Sequence, residues 1–344
     1  MQTQAAILTQ LKAPLEFWEL ELPSLKEGQV LVKMAYSGLC HSQLNEIKGL
    51  KGEDKFLPHT LGHEGSGQVE AVGRGVTKVV PGDNVVLSWL KGCGADVSGT
   101  QYSSKKGQVN SGAISTFLTY AILSENRVIP IPKTMPLKEA ALLGCAIPTG
   151  AGVVKNEMSI REGQSFAVFG AGGVGLSALL AAKYAKAFPL IAIDVVEEKL
   201  QKARLMGATH VVNACHHDPV QEIQKIMQGR GLDYVFESAG RREAMEKAFS
   251  ALKAPGGLCV VAGNLPMGEQ ISIDPFDLIR GKRIVGTWGG GSKIDHDVTF
   301  YAELYLKGQF DLNSLITHEV PLEHLNDLVS ELEAGRVGRG LIKF

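Results

Sequence analysis

The sequence predicts an α/β protein in which a mostly β domain accompanies a doubly wound parallel sheet. Three observations lead there. Short β-branched runs separated by turn residues fill the first third of the 344-residue chain. From about Ile147 onward, apolar strands alternate with helical stretches. Between the first of those strands and its helix lies a glycine-rich turn, Phe169-Gly170-Ala171-Gly172-Gly173-Val174-Gly175.

In the first third, apolar runs fall at residues 29–34, 67–72 and 84–87, and turn residues such as Pro81, Gly82 and Asp83 separate them. Residues 92–112 carry many Gly, Ser, Lys and Gln and read as loop. Helix formers gather at 137–142. The alternating part opens with an apolar run at 165–168, passes the glycine turn into a helix at 176–182, and returns to a strand at 190–193. A helix at 197–205 stops at Gly207, and strands follow at 210–212, 233–237, 257–262 and 283–287. From Trp288 the pattern is helical at 300–306 and 322–332, then apolar at Leu341 and Ile342.

Gly170, Gly172 and Gly175 fit G-x-G-x-x-G, and Asp194 follows about twenty residues on, after the second strand. Glycine lets the backbone turn and approach a ligand closely, and a helix N-terminus attracts a pyrophosphate. The Asp194 carboxylate accepts hydrogen bonds from a ribose diol. Dinucleotide binding is therefore expected, with Gly173 and Val174 in the same turn. An acidic residue at 194 disfavours a 2′-phosphate, so NAD is expected over NADP.

A net charge of -1 offers no basic footprint for nucleic acid, and no polybasic run marks a membrane surface. No apolar stretch reaches about eighteen residues, and the first residues lack the features of a signal peptide. Five cysteines, odd in number and dispersed, argue against a disulfide framework. The expectation is a cytoplasmic protein with a small-molecule substrate and neither nucleic acid nor membrane as partner.

Three segments offer metal ligands: a thiol at Cys40, an imidazole and carboxylate at His63 and Glu64, and a second thiol at Cys145. Spacing alone does not join them. The stretch Gly62-His63-Glu64-Gly65-Ser66-Gly67, with Val72-Gly73 and Pro81-Gly82-Asp83-Asn84-Val85 after it, resembles the zinc-alcohol-dehydrogenase signature. The likeness continues through the glycine turn to residues 315–318 and 339–342. The chain is thus similar to the zinc-dependent alcohol dehydrogenases of the medium-chain dehydrogenase/reductase superfamily.

That resemblance implies a GroES-like catalytic domain over 1–147 and 288–344, interrupted by a Rossmann domain over 148–287. It implies one catalytic zinc on Cys40, His63 and Cys145, with Glu64 able to exchange onto the metal and a fourth position left for water or alcohol. Ser42 would take the substrate proton. Thr149 would lie beside the nicotinamide, His41 and Arg339 near the pyrophosphate, and Lys199 near the adenosine ribose. Trp89, Asn264 and Trp288 fall at pocket positions. With Asn45, the asparagines point to a polyol or sugar-like alcohol, while the tryptophans would equally accept an aromatic one. Relatives pair through the last Rossmann strand, so a homodimer or homotetramer is implied.

The pattern also breaks. Relatives commonly carry four cysteines of a structural zinc lobe, but residues 91–112 hold only Cys93, so no structural zinc is expected. Gln43 stands where an aspartate usually supports the ligand histidine, and a neutral amide gives it less negative character. Asn45 replaces a relay histidine and cannot titrate. Cys215-His216-His217-Asp218 reads as an exposed loop rather than a metal cluster, and Gly289-Gly290-Gly291 as a domain crossover rather than a phosphate loop. Two alternatives stay open: a zinc-free enoyl or quinone reductase of the same superfamily, and a non-catalytic nucleotide-binding protein.

Overall fold

Strand formation in the first part follows the burial pattern. Val30, Val32 and Met34 point into one core, which Val85, Leu87 and Tyr102 complete. A computed structural model describes residues 1–344. The chain divides into two units: residues 1–145 with 293–308 and 316–344, and residues 146–292 with 309–315. Trp288 and the three glycines after it thus belong to the second unit, as does a short return segment at 309–315.

The first unit contains a closed five-stranded barrel formed by Gln2–Leu8, Glu16–Glu21, Gln101–Ser104, Gly107–Asn110 and His59–Thr60. A seven-stranded sheet is built around Gln29–Leu39, which pairs antiparallel with Glu64–Val72, Tyr120–Ser124 and Arg339–Lys343. One expectation is corrected here. The stretch 92–112 is not all loop, because Gln101–Ser104 and Gly107–Asn110 form a hairpin. Its polar composition hides two anchors, Tyr102 and Val109, whose side chains are buried in the barrel core.

The second unit holds a six-stranded sheet, parallel throughout. Its spatial order is His210–Asn213, Leu190–Asp194, Phe166–Phe169, Tyr234–Glu237, Leu258–Val261 and Arg283–Gly286. The strand that precedes the glycine turn is thus central, and the order reverses beside it, where doubly wound sheets bind ligands. Phe166, Ala167, Val168 and Phe169 are all buried, as a central parallel strand covered on both faces requires. No single helix of the chain is long and apolar enough to cross a membrane.

Candidate metal centre and cofactor turn

Sheet register gathers the first-unit residues. In the pairing of Gln29–Leu39 with Glu64–Val72, Ser37 lies opposite Gly65, so the end of one strand meets the start of the other. Cys40 follows the first strand as N-cap of the helix His41–Ile47, and His63 immediately precedes the second. Gly38 makes room beside them, since a Cβ there would stand 1.7 Å from Glu64 Oε1. Cys145 arrives on the turn after Ala141–Gly144, whose Gly144 carbonyl is fixed by the Ser88 hydroxyl at 2.7 Å.

The ligand atoms of Cys40, His63 and Cys145 all lie within 4.8 Å of one another. His63 Nε2 is 3.2 Å from Cys145 Sγ. Four-coordinate zinc with thiolate and imidazole arms needs donors about 3.5 Å apart, so this trio fits the ion with little movement. Glu64 is fully buried behind it and forms an ion pair with the buried Arg339.

The charges are mutually dependent. A hydrogen bond from the Cys145 thiol, aided by Arg339 and His63, holds the Cys40 thiol well below its ordinary value despite burial. Donating that bond, together with burial, pushes Cys145 well above. Burial also raises the Glu64 carboxyl, against the pull of Arg339. Burial alone would lower Arg339, but Glu64 and the two thiols hold its guanidinium above the ordinary range. Thiolate, thiol, imidazole and carboxylate against one guanidinium form a donor set suited to a borderline-soft divalent cation.

Behind His63 sits Gln43. Its Oε1 accepts the Cys40 backbone N–H at 3.1 Å, and its Nε2 lies against His63 Nδ1. Coordination through Nε2 requires a proton on Nδ1 and an acceptor behind it, which the Gln43 amide can supply only through its oxygen.

Other expected residues separate into two sets. Ser42, half-buried, lies on the helix after Cys40 with its hydroxyl 3.1 Å from Lys51 Nζ, while His41 is exposed at the helix start. Trp89 stands edge-on to His63, ring centroids 6.5 Å apart. Asn45 is half-buried on the same helix as Ser42. Arg339 also lies in this unit. The strand Arg339–Lys343 pairs with Gln29–Leu39, Gly340 opposite Leu39, and so delivers Arg339 to Glu64 rather than to an open surface.

The second unit carries the remaining set. The helix Gly173–Tyr184 starts at Gly172 with no side-chain cap, leaving its first N–H groups for a ligand. A Cβ at Gly172 would meet nothing, so a phosphate can approach there, whereas one at Gly175 would stand 1.9 Å from the Gly170 carbonyl oxygen. Asp194 Oδ2 accepts the Ala171 N–H at 2.7 Å, and Oδ1 those of Val195 and Val196 at 2.8 and 3.0 Å. The Thr149 hydroxyl is buried without a hydrogen-bond partner. Lys199 is half-buried on the helix after Asp194, and Asn264 and Trp288 are exposed.

The doubtful clusters resolve simply. Cys215, His216 and His217 are exposed, and Asp218 caps the helix Pro219–Ile226 by accepting from Val220 and Gln221. Gly289–Gly291 forms a short 3-10 turn with all three φ positive. Sequence reasoning missed Lys51 and Glu125, because neither belongs to a recognisable motif.

Two family profiles match: "Alcohol dehydrogenase GroES-like domain" over residues 26–133 and "Zinc-binding dehydrogenase" over residues 173–304. An S-(hydroxymethyl)glutathione dehydrogenase from Synechocystis sp. is 32% identical, with both chains covered completely. Among solved structures, an alcohol dehydrogenase zinc-binding domain protein from Burkholderia ambifaria matches with TM-score 0.92 and 32% identity, over 100% of this chain and 99% of that one. Benzyl alcohol dehydrogenase from Acinetobacter calcoaceticus matches with TM-score 0.91 and 32% identity over the same shares. The chain belongs to the zinc-dependent alcohol dehydrogenase family of the medium-chain dehydrogenase/reductase superfamily.

Proposed function

We propose that this dehydrogenase transfers hydride between an alcohol and NAD, using one catalytic zinc and no structural zinc. The observation that carries the reading is the convergent trio Cys40, His63 and Cys145, with ligand atoms within 4.8 Å of one another. It disfavours a zinc-free enoyl or quinone reductase, which has no use for three convergent soft donors.

When bound, zinc supplies Lewis-acid polarisation at the alcohol or carbonyl oxygen, and NAD supplies the hydride acceptor. Cys40, His63 and Cys145 hold the ion and leave one position for substrate. Glu64, held by Arg339, keeps a carboxylate near that position. Ser42 receives the substrate proton. The uncapped helix start at Gly172 holds the pyrophosphate, Asp194 accepts from the ribose, and the unpartnered Thr149 hydroxyl meets the nicotinamide end. His41 would meet the pyrophosphate and Lys199 the adenosine ribose.

For substrate, Asn45 and Asn264 support an alcohol bearing further hydroxyls, a polyol or sugar derivative. A second reading is an aromatic alcohol, favoured by the Trp89 ring beside His63 and by the likeness to benzyl alcohol dehydrogenase. Steady-state rates with polyols, sugars, aliphatic and aromatic alcohols, each with NAD and NADP, separate these. Preference for NADP would remove the role given to Asp194, and preference for benzyl alcohol would select the second reading. Assembly as a dimer or tetramer is supported by the edge strand Arg283–Gly286, near which Phe276, Ile279 and Val285 stay exposed. Light scattering should give at least twice the 36.8 kDa chain mass.

A further inference from the structure

Oxidising an alcohol releases a proton as well as a hydride, and that proton must leave through groups the chain supplies. The inference here rests on the alcohol-oxidising reading and concerns what lies beyond Ser42. The chain turns back after the helix His41–Ile47, at Gly49 with φ of 68° and with the Leu50 N–H donating to the Asn45 carbonyl at 2.9 Å. This brings Lys51 over the helix. Lys51 Nζ lies 3.1 Å from Ser42 Oγ and 3.0 Å from Glu46 Oε2. The Lys51 side chain is 50% exposed and that of Glu46 28%, so the far end of the chain of polar atoms reaches water. Asp54 adds a second negative charge toward the same ammonium and is itself tied to His59 Nε2 at 2.7 Å. Glu46, Asp54 and His59 also sit close enough together to be considered for a cation, but Lys51 already supplies one to Glu46.

We propose that Lys51 conducts the substrate proton from Ser42 to solvent, with Glu46 as its outlet. Lys51 Nζ gives one proton to Glu46 Oε2, which releases it to water. The nitrogen lone pair so freed takes the Ser42 hydroxyl proton, and Ser42 Oγ takes the proton of the alcohol. Each step breaks one N–H or O–H bond and forms another. No electrons move along the path, because the hydride leaves with the cofactor. A lysine suits this task and an arginine does not, since a guanidinium keeps its proton at any accessible pH.

The test uses the zinc-loaded protein and follows the pre-steady-state appearance of NADH in Lys51→Met and Lys51→Arg. Both should slow hydride formation by about 100-fold, the lower end of what a placed proton-transfer group supplies. Methylamine should restore Lys51→Met in a saturable manner and leave Lys51→Arg slow. Zinc content and NADH affinity, measured by fluorescence, should match the unsubstituted protein in both. A wild-type rate in either variant, or failure of methylamine to rescue Lys51→Met, overturns the proposal. Absence of NADH from the unsubstituted protein with every alcohol would instead remove the reading on which it rests.

Discussion

Two regions of the first unit contain buried acidic groups near cysteine, and they are held in opposite ways. At the metal centre, two thiols, an imidazole and Glu64 face one another with Arg339 as the only cation. Around Cys93, by contrast, the carboxylates are satisfied by backbone. Glu125 accepts the N–H groups of Thr77, Lys78 and Ala95 at 2.7, 2.8 and 2.8 Å. Asp295 accepts the Cys93 N–H at 2.6 Å and pairs with the Lys78 ammonium. Buried polar groups with internal partners need nothing further, whereas convergent thiols with a shared proton gain from an ion. The difference is why the proposed zinc falls in the first region, while hydrogen bonds and an ion pair brace the second.

The largest effect should come from breaking the first region. Cys145→Ser or His63→Ala is expected to abolish tight zinc binding and lower alcohol-dependent NADH formation on the order of 1,000-fold or more. Elemental analysis and steady-state kinetics read both. Breaking the second region should cost stability alone. Glu125→Gln is expected to lose about 2–3 kcal/mol while zinc content stays unchanged, because charge-assisted bonds to three amides weaken together. Hydrogen exchange should accelerate at Thr77, Lys78 and Ala95.

Glu125 and Glu237 sharpen the contrast through pH. Burial raises Glu125, but the bonds from Ala95, Thr77 and Lys78 outweigh it and hold its carboxyl below the ordinary value. Its stabilisation is therefore present above the unfolded carboxylate range and lost as pH falls through the lowered value. Glu237, in the second unit, accepts from Ala239 and Gly240 through Oε1, and the Gly263 and Arg241 amides also favour its charge, but burial outweighs them. Burial pushes it up to about 7. Its contribution is thus full while the group is protonated in both states and is lost as pH rises from about 4.5 through about 7. Glu237→Gln should flatten that slope and gain about 2 kcal/mol near pH 8 in urea unfolding.

The smallest effect tests the support behind His63. An aspartate at position 43 would offer Nδ1–H an acceptor through either carboxylate oxygen. Gln43→Asp should therefore tighten zinc by about 10-fold in chelator competition. Unchanged affinity would show that the amide already presents its oxygen.

Much of this was readable from sequence where local rules suffice. The glycine turn, the uncapped helix after it and the strand ending in Asp194 all follow from residues close in the chain. The hairpin at 101–110 was not readable, because only Tyr102 and Val109 point inward from an otherwise polar stretch. Nor were the braces, since Glu125 and Asp295 reach amides 48 and 202 positions away. Arg339 was assigned from motif position, whereas strand pairing carried its guanidinium to Glu64. Lys51 reaches Ser42 only because the chain reverses at Gly49.

In the proposed reading, the first of these two regions binds zinc and the second does not. Native mass spectrometry of protein expressed with ample zinc tests it directly, comparing the unsubstituted chain with Cys145→Ser and Cys93→Ser. One zinc per chain is expected, lost in Cys145→Ser and retained in Cys93→Ser. Two tightly held ions per chain, or one that survives Cys145→Ser and disappears in Cys93→Ser, would contradict it.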